Sequence, residues 1–269
     1  MLDKLTEILT PEIASDDSAW RLYHENSKTE RHHRPPPSHV VRARMEQMTP
    51  TLDYAGYPQV ALPEPAALDM TLGAAIRARQ TCREMQGCTL TLPDLSALLF
   101  AAYGETRDNA ETEYPRPFRT IPSGGALYPL ELYVHTARTE GLEAGLYHYN
   151  PARHGLSRVH RGDLGHRLGG ALVQADMPLN SAAQVFVTGF FERSAFKYAE
   201  RSYRFVLIEA GHLMQNFCLT ATALGYGTSC VGGYFDREID AILGLDGVRR
   251  STIYMGVLGQ EAQAGTGSP

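Results

Sequence analysis

Between Thr91 and Gly104, Leu95, Leu98, Leu99 and Ala102 recur on one helical face, and Asp94 follows Thr91 at the three-residue spacing of a capping box. This spacing predicts an amphipathic helix that packs on a sheet and stops at Gly104. From Leu130 to Thr136 apolar and polar residues alternate, "GLYHYN" follows after a turn, and "AQVFVTGFF" is a continuous run rich in β-formers. Three strands of a central, covered sheet are expected there. The stretch "YRFVLIEAGHLMQNFCLTATAL", from Tyr203, is apolar nearly all round, with Glu209, His212, Asn216 and Thr220 as one thin polar stripe. It reads as a buried central helix. Asp236 is placed to cap a short helix, "REIDAILG", and "STIYMGVLG" supplies a late strand.

Outside this pattern the chain changes character. Residues 1–66 are rich in Pro, His and charge, with "ERHHRPPPSH" as the stiffest stretch, and read as an arm wrapping the domain of residues 67–260. Residues 261–269 read as a flexible, disordered tail. With 269 residues and 43% apolar content, one sizeable core needs no covalent staples. The net charge of −5, with both signs scattered, provides no basic stripe for a phosphate backbone, so nucleic acid is excluded as a partner. The polar stripe of the long apolar segment argues against a membrane span. Cys82, Cys88, Cys218 and Cys230 lack metal-ligand or secreted-framework spacing and read as incidental or buried thiols in a reducing compartment. The first residues have no continuous apolar region of the signal-peptide kind, and a cytoplasmic protein is expected.

Most candidate chemistry has a plainer explanation. Glu209 and His212 have half the spacing of a di-iron bundle site, but Glu30 and His33, the other such pair, run into three prolines, so a buried polar pair with hydrogen-bond partners is expected at Glu209 and His212. His148, His154 and His160 recur every six residues, a period that matches neither a helix face nor a metal turn, and are expected to be solvated. No metal site is expected. Phosphate loops and the nucleophile-elbow pattern are absent. Three segments remain. "RARQTCRE" sets Arg77, Arg79 and Arg83 around Thr81, a donor set suited to a phosphate ester. "IPSGGALYP" and "SCVGGYFD" place Gly-Gly pairs beside strand ends, where bare backbone admits a flat ligand. "FKYAERSYR" sets Lys197 beside Tyr198, an ammonium next to a phenol that favours its deprotonated form.

Together and in order, "YHENSK", "RQTCREM", "LPDLSALLFAAYG", "PSGGALYPLELYV", "GLYHYNPARHGL", "KYAERSYRFVLIEAGHLMQN" and "LGYGTSCVGGYFD" resemble the nitroreductase-like flavoproteins, in particular their SagB-type branch of azoline oxidases. The resemblance implies an α+β, three-layer α-β-α fold with a central mixed sheet, forming a homodimer with FMN at the interface. It implies that Arg79, Gln80, Thr81 and Arg83 hold ribityl and phosphate oxygens, and that Ser123, Gly124, Gly125, Tyr128, Val231, Gly232 and Gly233 lie against the flavin ring. Lys197 and Tyr198 match the family's catalytic pair. The implied reaction is dehydrogenation of a thiazoline or oxazoline to the aromatic azole, a base taking the Cα proton as hydride passes to the flavin. The substrate would be a heterocyclised peptide or a carrier-bound or small molecule, with a cyclodehydratase as partner. The alternatives are an NAD(P)H-dependent nitro- or quinone reductase and a non-catalytic flavin-binding subunit.

Overall fold

The structure is a computed structural model that describes residues 18–109, 111 and 116–262. Its spine is an eight-stranded sheet in the order β1-β7-β6-β5-β8-β10-β2, with β9 pairing β10 off that path. The strands are β1 (Gln59–Ala61), β2 (Met85–Gln86), β5 (Leu130–Thr136), β6 (Gly145–Asn150), β7 (Gly155–Arg161), β8 (Ala183–Phe190), β9 (Gly227–Val231) and β10 (Arg250–Glu261). A separate two-stranded ribbon joins β3 (Glu105–Arg107) to β4 (Phe118–Arg119). The helices are α1 (Ala19–Asn26), α2 (Ser38–Gln47), α3 (Leu72–Ala78), α4 (Leu92–Tyr103), α5 (Gly165–Gly170), α6 (Glu192–Tyr198), α7 (Arg201–Ala223) and α8 (Asp236–Leu243).

Alternation along the strands sorts side chains into two cores. Leu130, Leu132 and Val134 of β5 and Val185 and Val187 of β8 face α4 and α7, where they meet Leu95, Leu99, Leu213 and Phe217. Tyr133 and Phe186 point to the opposite face, against Leu168 of α5 and Ile239 of α8. A strand covered on both sides reads as a continuous apolar run, which is what β8 shows. The result is the three-layer α-β-α arrangement of an α+β fold. Thr91 caps α4 by accepting from Asp94 N at 3.2 Å, and Gly104 ends that helix.

The structure corrects several expectations in detail. The ladders are antiparallel throughout rather than mixed, because β5, β6 and β7 form a meander and β8 enters on the other side of β5. Parallel pairing is confined to the isolated bridges Thr81–Thr228 and Leu90–Thr139. The central helix is buried on one face only: Leu207 is 42% and Ile208 55% exposed, because nothing among the described residues covers them. Asp236 is the first residue of α8, after an N-cap at Phe235. Glu261, assigned to the tail, pairs with Met85 as the last residue of β10; residues 263–269 lie outside the described residues, as does the stretch of residues 1–17 read for a signal peptide. Within the stretch read as an arm, β1 adds an edge strand to β7, and Val41 and Met45 of α2 pack on Leu127.

His148 is fully buried, not solvated. Its Nε2 lies 2.6 Å from Glu131 Oε2, which also accepts from Thr51 Oγ1 at 3.0 Å. The other carboxylate oxygen takes Arg193 Nη2 at 2.6 Å and the Leu52 amide at 2.9 Å. Burial opposes the charge of Glu131, but Arg193 and His148 outweigh it and hold the carboxyl down at about 2. Arg193 lies in the first turn of α6, so this ion cluster anchors the helix that ends in Lys197 and Tyr198. No helix among the described residues is long and apolar enough to cross a membrane.

Candidate functional site

After β4 the chain runs through Ile121, Pro122 and Ser123 into a 3-10 turn, Gly124–Ala126, before β5 begins. Gly125 sits at φ 68°, a backbone region that glycine enters without strain. A Cβ there would lie 2.6 Å from Tyr198 Oη and 2.8 Å from Lys197 Nζ. The phenol and the ammonium therefore converge on one bare patch of main chain. Phe205 of α7 backs this arrangement, its ring edge-on to Tyr198 at 5.0 Å and against the face of Gly124. Ser123 Oγ accepts from Tyr128 N at 3.0 Å, and the Arg119 amide donates to Tyr128 Oη at 2.9 Å, so the loop is pinned at both ends.

Beside the loop lies a cleft of about 730 Å³ lined by Arg107, Arg119, Thr120, Ser123, Gly125 and Lys197, among others. The Arg119 guanidinium stacks over the rings of Tyr103 and Tyr128, at 4.2 and 4.9 Å. Its Nη1 and Thr120 Oγ1 are buried and have no hydrogen-bond partner among the described residues. On the other side of Lys197 and Tyr198 is a second cleft, of about 410 Å³, lined by Ser27, Lys28, His33 and Pro35 ahead of α2 and by Arg201.

Beneath the loop Glu209 is buried on α7, accepting from Tyr103 Oη at 3.0 Å, while its Oε2 has no hydrogen-bond partner among the described residues. Burial pushes its carboxyl up to about 7, against the opposing influence of Ser123, Tyr103 and Arg119. The sequence marks Glu209 as one half of a polar pair with His212 and gives Arg107, Arg119 and Thr120 no distinct role. Arg119 stands at the head of the "RTIPSGG" stretch, four residues before Ser123, a signal that was there to be read.

The remaining predicted residues gather elsewhere. The segment 79–83 runs alongside β9 through the Thr81–Thr228 bridge and the bond from Cys82 N to Thr228 O at 2.9 Å. Arg79 acts electrostatically on Cys218 and Cys230, Gln80 Nε2 donates to Glu261 Oε2 at 2.9 Å, and Arg83 is exposed. Val231 is buried; Gly232 and Gly233 are exposed, and neither has a backbone angle that demands glycine. Among the described residues, none of 79–83 or 231–233 lines the larger cleft. The two groups meet α7 near Phe205 and near Cys218, thirteen residues apart or roughly 20 Å along the axis.

Both halves suit a flat, anionic cofactor. Arg79, Thr81 and Arg83 offer guanidinium and hydroxyl donors of the type that hold a phosphate ester. Arg119 Nη1 and Thr120 Oγ1 are unmatched polar atoms beside bare backbone, as a polar-edged ring would require.

The model described as "Nitroreductase family" matches residues 76–259. Protein MJ1384 of Methanocaldococcus jannaschii, which is named as a nitroreductase, is 40% identical over 61% of this chain and 80% of its own length. The trifolitoxin-processing protein TfxB of Rhizobium leguminosarum bv. trifolii is 35% identical over 48% of this chain and 36% of its own. The microcin B17-processing protein McbC of Escherichia coli is 34% identical over 48% of this chain and 49% of its own. The chain thus aligns with at most about half of either processing protein. Among solved structures, a chain of the E. coli microcin synthetase McbBCD complex, with truncated pro-MccB17 bound, has a TM-score of 0.59 at 23% identity and covers 97% of both chains. An Anabaena variabilis protein described as a nitroreductase reaches 0.71 at 22% identity, covering 90% of this chain and 47% of that one. At these identities the structural likeness is one of fold.

Glu209 makes stability depend on pH. Below about pH 4.5 it is protonated whether folded or unfolded; from there to about 7 the unfolded chain releases the proton first, so folding loses stability as pH rises. Glu209→Gln removes this slope. Urea denaturation at pH 5 and pH 8 should show the variant gaining on wild type at the higher pH, whereas parallel profiles would place the ionisation of Glu209 elsewhere.

Proposed function

The chain belongs to the nitroreductase family, and from that premise we propose that it is an FMN-dependent dehydrogenase of the SagB type that oxidises thiazoline or oxazoline rings of a modified peptide to azoles. The observation that carries the reading is the convergence of Lys197 Nζ and Tyr198 Oη over Gly125, beside a basic cleft. Likeness to two proteins named for processing trifolitoxin and microcin B17 supports a peptide substrate.

FMN supplies the two-electron acceptor chemistry that the oxidation needs. Arg79, Thr81 and Arg83 would bind its phosphate and ribityl oxygens, with Gln80 nearby, and the main chain at Ser123, Gly124, Gly125, Val231, Gly232 and Gly233 would lie against its ring. Tyr198 Oη, acting as the phenolate with the Lys197 ammonium over its ring at 5.3 Å as counter-charge, takes the proton from the substrate Cα and becomes the neutral phenol. The cleft beyond Tyr198, walled by residues of the arm, gives an extended peptide a route to that oxygen. A cyclodehydratase would make the ring this enzyme consumes.

Because the two groups of residues lie apart in one chain, the complete site is formed by two copies. Leu207 and Ile208 of α7 and Leu72 and Ile76 of α3, all exposed, provide apolar surface for that association. The second reading is an NAD(P)H-dependent reductase, favoured by the longer alignment with MJ1384. That reaction needs no base, and anaerobic loss of the yellow colour with NADPH alone would select it.

Two outcomes test the oxidase. Tyr198→Phe and Lys197→Ala should keep the yellow cofactor and lose turnover by about a hundredfold or more, read as loss of two hydrogens from a heterocyclised peptide by mass spectrometry. Wild-type rates in both would remove the pair from the mechanism. Mixed dimers of an Arg79→Ala, Arg83→Ala chain with a Lys197→Ala chain should regain roughly a quarter of the active sites, since each heterodimer rebuilds one intact site from the two unmutated halves. No recovery after subunit exchange would mean that each chain holds a whole site.

A further inference from the structure

Cys218 on α7 and Cys230 on β9 approach each other with Sγ atoms 3.6 Å apart. A disulfide needs a separation near 2.05 Å, so closure asks for a movement of about 1.5 Å shared by two side chains. The strand can yield, since among the described residues β9 is paired along its length only with β10 and touches the 79–83 segment at one bridge. The two thiols differ in access. Cys230 is exposed and Cys218 is buried, as expected of an attacking sulfur and a resolving one.

We propose that Cys218 and Cys230 form a reversible dithiol–disulfide site oxidised by hydroperoxides. The hydrogen bond from Cys218 and the guanidinium of Arg79 both lower the pKa of Cys230, which raises its share of thiolate at neutral pH. Burial raises that of Cys82 and of Cys88, so these thiols compete poorly. The thiolate of Cys230 attacks one peroxide oxygen: the S–O bond forms, the O–O bond breaks, and hydroxide or alkoxide leaves with a sulfenic acid remaining on Cys230. Cys218 then gives up its proton and attacks that sulfur; the S–S bond forms, the S–O bond breaks, and water leaves. In total two thiols lose two electrons, and hydrogen peroxide becomes two waters, or an organic hydroperoxide an alcohol and one water. The closed bond ties the central helix to the strand that runs into Gly232 and Gly233, beside Arg79.

The test is stoichiometric hydrogen peroxide added to the full-length protein, followed by intact-mass and peptide mass spectrometry. The expected result is a loss of two hydrogens, one crosslinked peptide pair containing Cys218 and Cys230, and full reversal by dithiothreitol. Cys218→Ser should stop at a sulfenic acid on Cys230 that dimedone traps, and Cys230→Ser should slow thiol loss by about tenfold or more. A crosslink involving Cys82 or Cys88, a bond between chains, or unchanged thiol content in wild type would overturn the proposal. Because the readout is covalent, it stands or falls independently of any flavin or azoline activity.

Discussion

A carboxylate shut away from water has to be met entirely by protein, and Glu131 in the middle of the sheet imposes that requirement on everything around it. Four donors answer it: Thr51 and Leu52 from the segment after α2, His148 from the neighbouring strand, and Arg193 from α6. A helix of seven residues has little stability of its own, so α6 depends on such an anchor. Lys197 lies one turn beyond Arg193, on the same side of the helix. The placement of the ammonium and the phenol over Gly125 is thus a consequence of how a buried charge in the sheet is satisfied.

A second constraint comes from the central helix. One side of α7 is sealed into the core by Val206, Leu213 and Phe217, while Leu207 and Ile208 face outward. On the proposed function, a second copy would cover this strip and would bring its own group of proposed cofactor-binding residues to the site, since the two groups sit at different levels of one helix. The same geometry sets Cys218 and Cys230 where α7 meets β9, so the proposed thiol chemistry and the proposed cofactor chemistry share a structural neighbour in Arg79.

Much of the fold was legible because its signals are local. The cap at Thr91, the stop at Gly104, the alternation of β5 and the all-round apolar run of β8 each depend on a few neighbours, and each is found where the pattern places it. What depends on contacts distant in sequence was not legible. The burial of His148 requires Glu131, Thr51 and Arg193 to assemble around it, and no six-residue period announces that. Glu209 and His212 read by sequence as a buried polar pair, yet only Glu209 is buried and His212 is exposed. The glycine pairs divide in the same way: at Gly125 the backbone angle and the nearby Tyr198 demand glycine, whereas Gly232 and Gly233 adopt ordinary angles.

The central claim is that catalysis takes place where Lys197 and Tyr198 meet the uncovered backbone of Gly125. The most direct measurement is azoline-to-azole turnover by Gly125→Ala, taken alongside its flavin absorbance and melting temperature. The new methyl group enters the space held by Tyr198 Oη and Lys197 Nζ, so the account requires turnover to fall about a hundredfold with colour and fold retained. Turnover equal to wild type in a folded, yellow variant would contradict it.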